Sequence, residues 1–181
     1  MQPQVMHRLA VLKYRTRKIH MKHFKTLILL GLVLSLAVAC QARAAFKSKV
    51  QMIETAEVIA VVEITNSEKV SVKGAHWTYS QKATASVESV VKGSLPGNVF
   101  LYGDENFRCA RCRFNKGRYL VFLHRDGELL TGNNWHLSVR KITGTSQQTV
   151  EWFDNENKDA LLSDVLSEIS AQVSTSESSK P

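Results

Sequence analysis

Cys109-Ala110-Arg111-Cys112 is the motif in this sequence whose spacing is most often tied to chemistry. Two thiols so spaced exchange disulfides when they open a helix, whose N-terminus favours the thiolate. They attach haem when His follows the second cysteine, and they supply half of a zinc site when two more ligands converge. Here the pair lies between two apolar, strand-like runs, with no helix after it. Arg113 stands where haem attachment needs His, and His76, His124 and His136 are scattered singly. Redox work and metal binding are therefore not expected. For cysteines in an exported chain a structural disulfide is the default. With Cys40 as the third cysteine, spacing does not choose among the pairings of Cys40, Cys109 and Cys112.

Arg108, Arg111, Arg113, Lys116 and Arg118 surround the motif. They are a candidate surface for an anionic partner, either lipid headgroups or an acidic protein. The blander reading, which we prefer, is a solvated loop whose charges are offset by Asp104 and Glu105. His124, at the end of an apolar strand, reads as a hairpin-edge residue rather than a ligand. Trp77, Trp135 and Trp152 are too far apart in sequence to suggest a stacking platform. No G-x-S-x-G, H-E-x-x-H, Walker loop or paired-glycine dinucleotide turn occurs, so neither catalysis nor a cofactor is expected.

The elements that must position these residues are mostly strands. Residues 46–55 place Phe46, Val50 and Ile53 at helical spacing, which predicts a short amphipathic helix. Ala56–Thr65 reads as a strand buried on both faces, and residues 66–75 as a polar loop or loose hairpin tip. From Trp77 to Val91 apolar and polar residues alternate, which predicts a long antiparallel strand with one wet face, bent as in a small barrel. Pro96-Gly97 suits a type II turn. Val99–Tyr102, Arg118–His124 and Leu137–Ile142 are further strands, and Asp126-Gly127 marks a hairpin returning through residues 128–131. Between Lys158 and Val173 the period changes. Leu161, Leu162, Val165, Leu166 and Ile169 form one helical stripe, with Asp164 and Glu168 facing away. The sum is a mainly β chain forming a small sandwich or barrel, with a helix to cap its core.

Charge separates the leader from the rest. The sequence has 24 Lys+Arg against 16 Asp+Glu. Seven of the basic residues, and no acidic ones, fall in residues 1–40, so 24 − 7 = 17 basic residues face 16 acidic ones from Gln41 on. The remaining +1 removes the main support for nucleic-acid binding. Lys22, His23 and Lys25 followed by the apolar Leu27–Ala39 and then small residues predict a signal peptide, with Met21 as its natural start. The apolar run is shorter than the roughly 20 residues that span a bilayer. Three outcomes are open at its end. Ala37-Val38-Ala39-Cys40 resembles a lipobox, which would anchor the chain through a lipidated Cys40. Cleavage after Ala39 would free Cys40 as the N-terminus, and cleavage before Ala45 would remove it.

The order of elements resembles the netrin-like (NTR) domains and the tissue inhibitors of metalloproteinases (TIMP), most of all their exported bacterial relatives. The likeness rests on five features: Cys40 near the mature N-terminus, Ala56-Glu57-Val58-Ile59 opening the first strand, Val90-Val91-Lys92-Gly93 closing the long one, a cysteine at 109 or 112, and Gly117-Arg118-Tyr119-Leu120-Val121-Phe122. The resemblance covers residues 40–142. It implies a five-stranded Greek-key OB-like barrel with a short N-terminal helix and a C-terminal amphipathic helix. It also favours a disulfide from Cys40 to Cys109 or Cys112. Gln41-Ala42 lacks the second cysteine of the Cys-x-Cys start of TIMPs, whose N-terminal amine chelates the protease zinc.

The chain is therefore expected to comprise a leader (1–39), a barrel (40–145), a helical segment (146–173) and a disordered tail (174–181). It is expected to be exported, whether to the periplasm, to the outer membrane as a lipoprotein, or to the medium. A protein partner is expected, a zinc metalloproteinase being the sharpest candidate. The rival readings are a thiol-active envelope protein and a structural lipoprotein held by Cys40.

Overall fold

The computed structural model describes residues 45–107, 110–153 and 159–178. The leader, Cys40, Arg108 and Cys109 lie outside the described residues, as do residues 179–181. Two strands with two apolar faces organise the rest. In β1 (Val58–Lys73), Val58, Ala60, Val62 and Ile64 face one buried cluster while Ile59 and Val61 face another. In β4 (Gly117–Asp126), Tyr119, Val121 and Leu123 join the first cluster and Leu120 and Phe122 the second. Side chains alternate across a strand, so a continuous apolar run can serve two cores only if both faces are covered. Each large apolar side chain so buried contributes roughly 1.5–3 kcal/mol.

The first cluster is the inside of a ring. β1 pairs antiparallel with β2 (Thr78–Lys92) and with β4; β2 pairs with β3 (Asn98–Glu105), and β4 with β5 (Leu129–Gly132). One parallel pairing, Tyr102 with Thr131, joins β3 to β5 and closes the ring in the order β1-β2-β3-β5-β4. Register shifts along β1 and β2 let two long strands bend round it. β2 keeps the expected alternation, with Tyr79, Ala83 and Ala85 buried. In the β3–β4 connection, Ala110, Cys112 and Phe114 are buried without regular secondary structure.

The second cluster lies between the ring and the helices. α1 (Lys49–Thr55) starts at a capping box, in which the Gln51 N–H donates to Ser48 Oγ and the Ser48 N–H to Gln51 Oε1. Such a cap contributes about 1 kcal/mol. Seven residues are too few for an isolated helix, so buried Met52 and Ile53 hold it in place. Beyond a 3₁₀ turn (Trp135–Ser138), β6 (Val139–Thr143), β7 (Thr149–Glu151) and β8 (Asp159–Leu161) extend the sheet. α2 (Leu162–Ser178) then returns over it, burying Leu162, Val165, Ile169 and Val173.

Several expectations are corrected. Because Ser48 caps α1, Phe46 stands outside the helix, and Phe46 and Val50 are exposed rather than part of its buried stripe. Residues 66–73 are strand rather than loop or hairpin tip, and the hairpin turn itself is confined to residues 74–77. β1 leaves β4 at Ile64 but continues to Lys73 as an edge strand on β2, whose Tyr79–Thr84 stretch pairs with β3 on its other side, and the polar residues of β1 suit that exposed edge. The positive φ near Pro96 belongs to Gly93 (75°), not Gly97, and a Cβ there would strike the Glu57 carbonyl. α2 starts later and ends later than expected, since residues 159–161 pair as β8. Ser174, Thr175 and Ser178 stay helical, each hydroxyl donating to the carbonyl four residues back. Glu168 is exposed but engaged, accepting from Trp152 Nε1 at 2.9 Å and pairing with Lys49 Nζ at 2.6 Å.

Candidate binding site

Three connections and the N-terminal segment converge at one end of the ring. Lys47 Nζ donates to Asn133 Oδ1 (2.7 Å) and Thr55 Oγ1 (2.9 Å), while Asn134 Nδ2 donates to the Lys47 carbonyl (3.3 Å). Asn133 Nδ2 reaches the Met52 carbonyl and Thr55 Oγ1. These bonds stitch the residues before α1 to the segment after β5. Phe46 adds an edge contact to His136, ring centres 5.4 Å apart.

The β1–β2 loop is held by Asp126, whose carboxylate is buried at the end of β4. It accepts from the His76 N–H (2.9 Å), His76 Nδ1 (2.7 Å), the Trp77 N–H (3.2 Å) and the Tyr79 hydroxyl (2.9 Å). Burial alone would raise its pKa, but the hydrogen bonds from His76, Tyr79 and Trp77 outweigh burial and hold it below the usual carboxylate range. Burial and the Asp126 bond push the Tyr79 phenol up. Gly74 is needed beside this carboxylate, since a Cβ there would run into Asp126 Oδ2. The imidazole of His76 is largely exposed, and no nucleophile meets it among the described residues.

Trp77, fixed in this way, meets Phe107 and Trp135 at 5.5 Å each, and Phe107 stacks on Trp135 at 4.9 Å. All three rings remain partly exposed. Trp135 has φ 51°, a left-handed conformation that costs a bulky residue on the order of 1–3 kcal/mol. Beneath the rings lies a cleft of about 230 Å³, lined among others by Ala45, Lys47, Glu105, His124 and the two indoles. Glu105 is 2 % exposed; burial pushes its carboxyl up, against the Cys112 N–H that donates to Oε2 at 2.7 Å. Burial lowers Lys47 and, with the charge of Lys47 nearby, lowers His124. His124 Nδ1 is buried without a hydrogen-bond partner among the described residues.

The residues singled out from sequence fare differently. Cys112 is a free, fully buried thiol that burial and Glu105 push well above the ordinary range, which disfavours nucleophilic work. Cys40 and Cys109, its expected partners, lie outside the described residues. The basic cluster is dispersed: Arg111 and Arg113 pair with Asp104 at 3.1 and 3.2 Å, and Arg118 pairs with Glu88 at 2.6 Å. Lys116 is exposed. Of the two acidic residues expected to offset these arginines, only Asp104 does so; Glu105 points into the ring instead. The three tryptophans do not stay apart as expected, since Trp77 and Trp135 touch while Trp152 lies in the helix-side core. Lys47 carries its part of the site with no sequence signal of its own, and Tyr79 shows only as an apolar position in the alternation of residues 77–91. Asp126 was visible only as a turn residue.

No group of three or more His, Cys, Asp or Glu that could hold a metal ion occurs among the described residues, and no described helix is long and apolar enough to cross a membrane. No family model and no curated protein matches the chain.

Proposed function

We propose that this chain is an exported, non-catalytic binding module of the TIMP/NTR-like OB type, which engages a protein partner through the end of the ring bearing Trp77, Phe107 and Trp135. The observation that carries it is the convergence of those partly exposed rings with the N-terminal segment at Ala45–Lys47. Large rings on loops give contact area at low entropic cost, and aromatic residues are enriched where interfaces bind tightly. Trp135 keeps a costly backbone conformation at this surface, and strain of that kind clusters at functional sites. The OB assignment is supported by the ring order, with β3 and β5 parallel at the closure. The buried Cys112 favours binding over thiol chemistry.

A photo-crosslinking residue at His136, next to the rings, compared with one at Ser167 on the exposed side of α2, tests this in the native host. The expected result is a discrete crosslinked protein from position 136 and none from 167. No product from 136, or the same products from both, would overturn the reading. If the captured protein is a zinc metalloproteinase that the complex inactivates, the inhibitor version stands; any other partner removes it and leaves the binding module.

A further inference from the structure

The cleft under the aromatic rings carries two opposite charges that are not paired. Glu105 accepts from the N–H groups of Cys112 and of its own residue and from the Thr131 hydroxyl, and none of these partners is charged. Lys47 donates to a hydroxyl and an amide oxygen, and neither residue has an ion-pair partner among the described residues. Both line the same cleft, with Trp77 and Trp135 as its walls. We infer that this cleft binds a small zwitterion, a molecule carrying one ammonium and one carboxylate, with its ammonium on Glu105 and its carboxylate on Lys47.

Two features favour a ligand of both charges over a ligand of one. Glu105 and Lys47 are each pushed towards their neutral forms by burial, so each gains from an opposite charge brought into the cleft. An anion alone would meet Lys47 but face Glu105; a cation alone would meet Glu105 but face Lys47. The other groups at the cleft do not tip the balance. His124 is held towards its neutral form, and the carboxylate of Asp126 is taken up by His76, Trp77 and Tyr79. The indole faces suit an ammonium or an aliphatic chain laid against them. A cavity of 150 Å³ holds benzene, so about 230 Å³ admits about nine heavy atoms, the size of a free amino acid. This site needs no protein partner, and its test is separate from the crosslinking experiment.

The probes are L-leucine and 5-aminopentanoate, each compared with its N-acetyl derivative and its primary amide, titrated into the wild-type protein by tryptophan fluorescence and calorimetry. The expected result is binding of at least one zwitterion, with about a tenfold or greater loss when either charge is removed. Glu105→Gln should then bind the N-acetyl derivative as well as the parent, and Lys47→Met the amide as well as the parent. Absence of zwitterion binding at millimolar concentration would overturn the inference. So would a single-charge derivative that binds as tightly as its parent, and this holds even if the variants fold poorly, because the ligand series uses wild-type protein.

Discussion

Trp152 and Trp135 each meet two other aromatic rings, yet their surroundings are opposite. Trp152 lies against Phe122 and Phe153 at 6.2 and 5.2 Å, is 4 % exposed, and gives its indole N–H to Glu168. Its neighbours come from β4, from Phe153 just beyond β7, from α2 and from Lys49 of α1. Trp135 meets Phe107 and Trp77 on loops, stays partly exposed, holds a left-handed backbone, and stands over a cleft with unpaired charges. The first group has what a core needs. The second keeps strain, exposure and charges without ion-pair partners together, which a purely structural cluster would shed.

The comparison can be broken by measuring what each region contributes. Trp152→Ala should cost the most, about 3–5 kcal/mol in denaturant unfolding, because it opens a cavity between sheet and helix. Asp126→Ala should cost about 3 kcal/mol, since it leaves the Tyr79 hydroxyl and two loop N–H groups unpaired. It should also change the emission of Trp77. The pH dependence has a definite sign. The folded carboxyl of Asp126 is held below its ordinary value of about 4, so its stabilisation is present above that pH and fades as pH falls through the lower folded value. Asp126→Asn should flatten this acid limb, and an unchanged limb would show that the clamp is not a charged one. Trp135→Gly should change stability by no more than about 1 kcal/mol, because glycine relieves the backbone conformation while the ring is lost. A loss as large as that of Trp152→Ala would make the two regions alike. Arg118→Ala should matter least, about 0.5 kcal/mol, as its partner Glu88 is a surface carboxylate.

The strands were legible because their residues answer to local rules. Alternation in β2 and the apolar runs of β1 and β4 are set by which faces are covered, and that pattern is written residue by residue. The edge of β1 beyond Ile64 was not legible, because its polar residues are held by pairing with β2 rather than by burial. The start of α1 could have been found from Ser48 and Gln51, a capping-box pair that outranks the spacing of Phe46 and Val50. The site was mostly hidden. Trp77, Phe107 and Trp135 come from three separate connections, and only ring closure brings them together. Glu105 reads as a counter-ion to the arginines beside it in sequence, yet alternation along β3 turns it inward while Asp104 takes the arginines. The CxxC spacing drew attention to cysteines; the structure turns it to the glutamate beside Cys112.

The most direct test of a binding surface distinct from the core is the Trp77→Ala/Trp135→Ala double variant, carrying the crosslinker at His136 and read in two ways. The account predicts an unfolding midpoint closer to wild type than that of Trp152→Ala, with the crosslinked complex reduced at least about tenfold, as expected when two anchors are lost. Full crosslinking despite the missing rings, or unfolding as severe as that of Trp152→Ala, would contradict it.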